Sequence, residues 1–178
     1  MVTTTSRGAP LAWIVLVYRV PREPSTPRIA IWRRLRALGV AQLGDGTVAL
    51  PEDVRTREHL EWIADRVIEA GGSALLLRAQ TLTQRDEREM AQMMATARAQ
   101  EYHELLAEVV SVGGEVASDT ERSRAVTRLR KQLRVIQRRD YFPPRVRDEV
   151  AAAITDLARP SSDSPRVTTA DGAPGRRR

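Results

Sequence analysis

The chain has 178 residues, enough for one domain of ordinary size with appendages and too few for two comfortable ones. Hydrophobic residues make up 42% and charged residues 29%, the balance of a globular chain, and the absence of cysteine excludes disulfide frameworks, thiolate nucleophiles and Cys-ligated metal. The net charge is +6, every basic residue but Lys131 is arginine, and the planar guanidinium fork suits phosphate or another oxyanion.

Residues 1–10, with Thr, Ser, Gly and Pro and no periodicity, read as a tail. Residues 11–19 are a nearly continuous apolar run with Trp13, Ile14, Val15 and Val17, which fits a buried central strand. The run is far shorter than the roughly 20 residues of a membrane span, and Arg19-Val20-Pro21-Arg22 stands where a signal-peptide cleavage site would be. A cytoplasmic protein is expected. Thr26 as N-cap with Pro27 at the first helical position predicts a helix that Gly39 ends, with Ile31, Trp32, Leu35 and Leu38 on its apolar face. Residues 40–43 and 47–50 bracket Gly44-Asp45-Gly46 and predict a hairpin. Leu60, Ile63 and Val67 predict a helix over 53–70, closed by Gly71-Gly72, and 74–77 is a compact strand.

The order strand, helix, two strands, helix, strand predicts an α+β class: a ferredoxin-like βαββαβ domain over 11–80, with helices on one face of an antiparallel sheet. Residues 81–158 read as an α-helical extension. A helix over 83–110 carries Met90, Met93 and Met94, Ser118 with Glu121 gives a capping-box signature for a helix to Arg139, and 145–157 is a last helix after Pro143-Pro144. Residues 159–178 are a Ser-, Pro- and Gly-rich tail ending in three arginines.

Charge is unevenly distributed. Residues 1–39 hold seven arginines against Glu23, residues 40–118 hold seven against fourteen acids, and residues 119–139 hold eight bases against Asp119 and Glu121. In the 119–139 segment Val126, Leu129, Leu133 and Ile136 fall on one stripe, and Arg124, Arg128, Lys131, Arg134 and Arg138 gather on the opposite face. A solvated face mixes signs, whereas this one is almost free of acids, so it is the candidate DNA-phosphate surface; a solubilising face, or pairing with the acidic middle of the chain, would give the same pattern. A second cluster, Arg19, Arg22, Arg28, Arg33 and Arg36, is the candidate site for a small oxyanion, or alternatively a source of salt bridges to the acidic second helix.

Catalytic patterns are weak. Asp86, Glu87 and Glu89 stand where carboxylates complement a helix macrodipole, His59 and His103 have no neighbouring nucleophile signature, and no Gly-rich phosphate loop follows a strand. No catalytic residue, metal or cofactor is expected. Trp13, Trp32 and Trp62 are expected in the core, and few aromatic residues remain for a base-stacking platform.

The run Trp13-Ile-Val-Leu-Val-Tyr-Arg-Val-Pro-Arg-Glu-Pro24, with Ala30-Ile-Trp-Arg-Arg-Leu-Arg-Ala-Leu-Gly39, Leu50-Pro51, Leu60-Glu61-Trp62, Ala70-Gly71-Gly72, Glu101-Tyr102 and Arg139-Asp140-Tyr141-Phe142, resembles the N-terminal domain of ChrB-type chromate-resistance regulators. The resemblance covers most of 11–157. It implies a chromate-responsive transcription regulator acting on chromate efflux genes, with DNA as partner and chromate or another oxyanion as effector. Many relatives carry a further C-terminal domain, and the chain is expected to lack it. The element order is also similar to that of the central domain of PaaX-type repressors and of small CRISPR-associated nucleases. The nuclease activity would need a metal-binding Asp where this chain has Tyr18-Arg19. The expectation is therefore a non-enzymatic DNA-binding regulator acting as a homodimer, with a protein–protein interaction module lacking DNA affinity as the alternative.

Overall fold

A computed structural model describes residues 11–115 and 118–159; both predicted tails, apart from Arg159, lie outside the described residues. The elements are β1 (Ala12–Arg19), α1 (Ser25–Leu38), β2 (Ala41–Gly44), β3 (Thr47–Pro51), α2 (Val54–Glu69), β4 (Ser73–Gln80), α3 (Gln84–Glu115), α4 (Asp119–Gln137) and α5 (Val146–Leu157). The class is α+β, a four-stranded antiparallel sheet with five helices among the described residues. The strands lie in the order β2-β3-β1-β4. Among the described residues no helix is long and apolar enough to cross a membrane.

The apolar run of β1 is explained by its place between two neighbours. Val15 faces Ala49 of β3 and Leu77 of β4, and Leu16 faces Val48 and Leu76. Ile14 and Leu16 join one buried cluster with Ile31 and Leu35 of α1, Val48 and Leu50 of β3, and Leu60, Ile63 and Val67 of α2. Alternation sends Trp13, Val15 and Val17 to the other face. That face is covered at one end only. Trp13 is buried, in the same cluster as Met94 of α3, with its ring centroid 5.9 Å from that of Phe142. At the other end Val17 is 39% exposed, beside Leu75 at 55% and Leu77 at 43%. The sheet thus has helices on one face and a partial cover on the second, where the sequence predicts helices on one face alone.

Local signals explain most boundaries, and the misses have causes. The structure caps α1 with Pro24, in extended conformation and without a side-chain cap, so Thr26 lies inside the helix rather than at its start. Pro27 is still in the first turn, where its missing N–H is not needed. Ile31 and Leu35 are buried, but Trp32 is 50% exposed, and so is Trp62 at 46%. Both are corrections to an all-core assignment of the tryptophans. Trp32 follows Ile31 by one residue, about 100° around the helix, and so misses the core face. α2 begins with a reciprocal box that the sequence reading overlooks: the Thr56 N–H donates to the Asp53 carboxylate at 2.7 Å, and the Asp53 N–H donates to the Thr56 hydroxyl at 2.9 Å.

β4 runs three residues beyond the predicted end at Leu77, because β1 pairs with it from Ala12↔Gln80 to Arg19↔Ser73. α3 continues past the predicted end at Val110 through Gly113-Gly114, its second half packed against α5 and α4 as far as Val109. Residues 110–114 are mostly exposed, so this end is a continuation of the packed helix before it, made against about 1 kcal/mol per glycine of helix propensity. Ser118 caps α4 by accepting from the Glu121 N–H at 3.3 Å.

A second buried cluster joins Tyr102, Leu105 and Val109 of α3, Leu129, Leu133 and Ile136 of α4, and Val146, Val150 and Ile154 of α5. A polar junction links it to the sheet layer. The Arg139 guanidinium donates to Glu101 at 2.6 Å and to the Arg36 carbonyl at the end of α1 at 3.2 Å; Arg98 pairs with Glu101 at 3.0 Å. Gly39, at φ 71°, ends α1 against this junction, and a β-carbon there would lie 3.1 Å from the Arg139 carbonyl oxygen.

Candidate anion-binding surfaces

α4 is amphipathic as its spacing predicts. Val126, Leu129, Leu133 and Ile136 are buried, and Arg124, Arg128, Lys131, Arg134 and Arg138 are exposed. At 1.5 Å per residue the basic row is about 21 Å long from Arg124 to Arg138. Arg128 reaches Glu108 of α3 at 3.2 Å. For Arg124, Lys131, Arg134 and Arg138 no carboxylate lies within ion-pair distance among the described residues. Arg130 is also exposed on this helix, about 100° around it from the centre of the row. The acids of α4, Asp119 and Glu121, are confined to the first turn, where they complement the helix dipole.

The second arginine set converges at the end of β1. Arg19, Arg22, Arg28 and Arg33 line one cleft of about 1280 Å³, together with Tyr18, Ile29, Trp32 and Asp45. Two tight turns build its floor. The Tyr18 N–H donates to the Gly46 carbonyl at 2.7 Å, and Gly46, at φ 69°, leaves no room for a β-carbon against the Tyr18 carbonyl. Gly72 is pressed in the same way against the Arg19 carbonyl. The β2–β3 and α2–β4 turns therefore close on the last residues of β1, and Arg19 is presented beside the start of α1.

None of these four arginines has a carboxylate within ion-pair distance among the described residues, and one acid, Asp45, stands among them. Salt bridging to α2, the alternative for this cluster, is not what the described residues show: Glu69 of α2 pairs within its own helix, with Arg66 at 2.8 Å. Arg36 does not join the cleft. Its guanidinium lies over the Trp32 ring at 4.9 Å, and Trp32 is itself a cleft wall. Arg34 and Arg66 lie over the Trp62 ring in the same way, at 4.8 and 5.3 Å. Burial pushes the Tyr18 hydroxyl above the ordinary tyrosine range, so it remains a neutral donor at the cleft.

The carboxylates near the start of α3 have structural partners. Asp86 accepts from the Thr83 hydroxyl at 2.7 Å, Glu89 pairs with Arg85 at 2.8 Å, and Glu87 accepts from the Leu11 N–H at 3.3 Å. His103 is exposed on α3. Tyr18, Ile29, Trp32 and Asp45 are among the cleft residues that sequence reasoning missed; for Trp32 the spacing from Arg28 and Arg36, four residues either way, was the available signal.

Comparison with known proteins gives one family and one curated relative. Residues 28–170 match the family described as Protein ChrB, N-terminal. The span begins within α1, so Arg19 and Arg22 precede it and Arg28 and Arg33 fall inside it. The chain is similar to Protein ChrB of Cupriavidus metallidurans (strain ATCC 43123 / DSM 2839 / NBRC 102507 / CH34), with 29% identity over 134 residues. That alignment covers 74% of this chain and 41% of the relative, so the chain spans about two fifths of the curated protein. No solved structure matches. With the match running from α1 through all the described helices that follow, the chain belongs to the ChrB N-terminal family.

Proposed function

We propose that this protein is a chromate-resistance-associated transcription regulator that binds DNA as a homodimer through the exposed face of α4. The observation that carries this reading is the row Arg124, Lys131, Arg134 and Arg138, held in place by a buried stripe and left without carboxylate partners among the described residues. Guanidiniums without internal partners are available to phosphate oxygens, and such contacts set affinity and register without reading bases. In the same reading the cleft arginines Arg19, Arg22, Arg28 and Arg33 hold an effector oxyanion such as chromate. The strand order, in which α1 and α2 each link two strands across a third, is read as the split βαβ pair of a ferredoxin-like domain over 11–80, with 81–158 as its helical extension. The protein is read as non-catalytic and cytoplasmic.

A mobility-shift titration on the DNA upstream of the protein's own gene tests it, at two salt concentrations and with and without chromate. Binding should weaken steeply with salt, and Arg124→Ala/Arg134→Ala/Arg138→Ala should weaken it on all sequences and flatten the log–log salt slope by about 2.7 per protomer, about 5.4 for the dimer. Unchanged affinity and slope in that variant would remove α4 from the interface. Release by chromate that disappears in Arg28→Ala/Arg33→Ala, with basal binding intact, is the expected result for the cleft. A second reading, an interaction module without DNA affinity, is favoured by the open aliphatic end of the sheet at Val17, Leu75 and Leu77. It predicts a stable oligomer indifferent to DNA.

A further inference from the structure

The cleft has two kinds of wall, and a bare oxyanion uses one. Arg19, Arg22, Arg28 and Arg33 make the cationic side. The other side is apolar: Ile29 is 41% and Trp32 50% exposed, three residues apart on α1. Trp13, by contrast, is fully covered. The space of about 1280 Å³ exceeds the usual range for pockets that hold drug-sized molecules, and a tetrahedral anion fills a small part of it. Asp45 is the third feature. Among inorganic anions a carboxylate in the cleft is purely repulsive, but it suits a ligand that also brings hydroxyl or amine donors.

Resting on the reading of this cleft as an anion site, we propose that its ligand is a nucleoside polyphosphate, with phosphates on the arginines and the base against Trp32. A single phosphate group carries about two negative charges at neutral pH. With four arginines against Asp45, the cleft has three positive charges in excess and matches more than one phosphate. Arg36, stacked on the Trp32 ring at 4.9 Å, holds that ring in the cleft wall. Stacking on an aromatic ring is open to any base, so the class of ligand is set and the base is not.

Isothermal titration calorimetry on the full chain decides it, with ADP, ATP and GTP compared with pyrophosphate, inorganic phosphate, chromate and a short single-stranded oligonucleotide. The expected result is saturable binding of the nucleotides, about tenfold or more tighter than pyrophosphate. Arg28→Ala and Arg33→Ala should each weaken it about tenfold or more, and Trp32→Leu by a similar factor. Trp62→Leu, which alters the other exposed tryptophan, should leave it unchanged, with circular dichroism reporting that each variant is folded. Pyrophosphate as tight as ADP, full binding in Trp32→Leu, or binding of the oligonucleotide alone would each overturn the proposal. Chromate or phosphate binding that needs Arg28 and Arg33, with nucleotides no tighter, would overturn it and leave the oxyanion reading standing. Failure of every anion to bind would remove both.

Discussion

Tyr102 is fully buried in α3, and its hydroxyl donates to the Asp140 carboxylate at 2.8 Å. Burial first, and the hydrogen bond to Asp140 second, push its ionisation well above the ordinary tyrosine range. A folded-state value above the unfolded one near 10 means that the unfolded chain loses its proton first as pH rises. The stabilisation is therefore complete below about pH 10 and declines above it. Tyr102→Phe should cost about 2 kcal/mol at neutral pH, by removing a donor to a charged group, and should shallow the alkaline loss of stability. Urea unfolding at pH 8 and at pH 11 measures both; the same alkaline slope in the variant would assign it to other groups. Tyr18 and Tyr141, also raised by burial, leave part of the slope in place. At this scale the sequence is a partial guide. Arg36 groups with Arg33 by spacing, yet it lies on Trp32, four residues back on the same helix face, so residue type and spacing list the charges without assigning their partners.

Among the elements, α4 was the most legible, because its 3, 4, 3 spacing of apolar residues is a property of the helix alone. Leu129 is its most buried member. Leu129→Ala should destabilise the chain by about 3 kcal/mol, seen as a lower denaturation midpoint with an unchanged slope. A loss below about 1 kcal/mol would mean that the cluster under α4 repacks freely. The pairing of Arg128 with Glu108 was not legible, since it depends on how α3 and α4 lie together. The same holds for the junction of Arg98, Glu101 and Arg139: the Glu101-Tyr102 and Arg139-Asp140 segments stand out in the sequence, and only the fold shows that they meet. Lengths were the weak point. β4 outruns its apolar core because β1 supplies hydrogen bonds to its polar end, and α3 runs on through its glycines as a continuation of the stretch that α4 and α5 hold as far as Val109.

For the whole molecule, most arginines of the acidic middle are paired with that segment's own acids. Glu52 accepts from both Arg57 and Arg78, Glu69 from Arg66, and Glu89 from Arg85. The basic blocks on either side hold most of the guanidiniums without a carboxylate partner among the described residues, and both candidate surfaces come from them. The block asymmetry in the sequence marks the segments that supply both candidate surfaces, whereas the cleft itself depends on two glycine turns that bring Arg19 beside α1. One more consequence lies at the rim of the sheet. β4 is an outer strand of eight residues without proline, and Leu75 and Leu77 stand exposed along it. Its outward backbone groups and aliphatic row form a template on which stray chains can add during overproduction and storage. Leu75→Lys should raise the concentration at which the purified protein turns turbid, with no fall in melting temperature, and turbidity at the same concentration would place the sticky edge elsewhere. The working limit for handling this protein at the bench is then set by one strand.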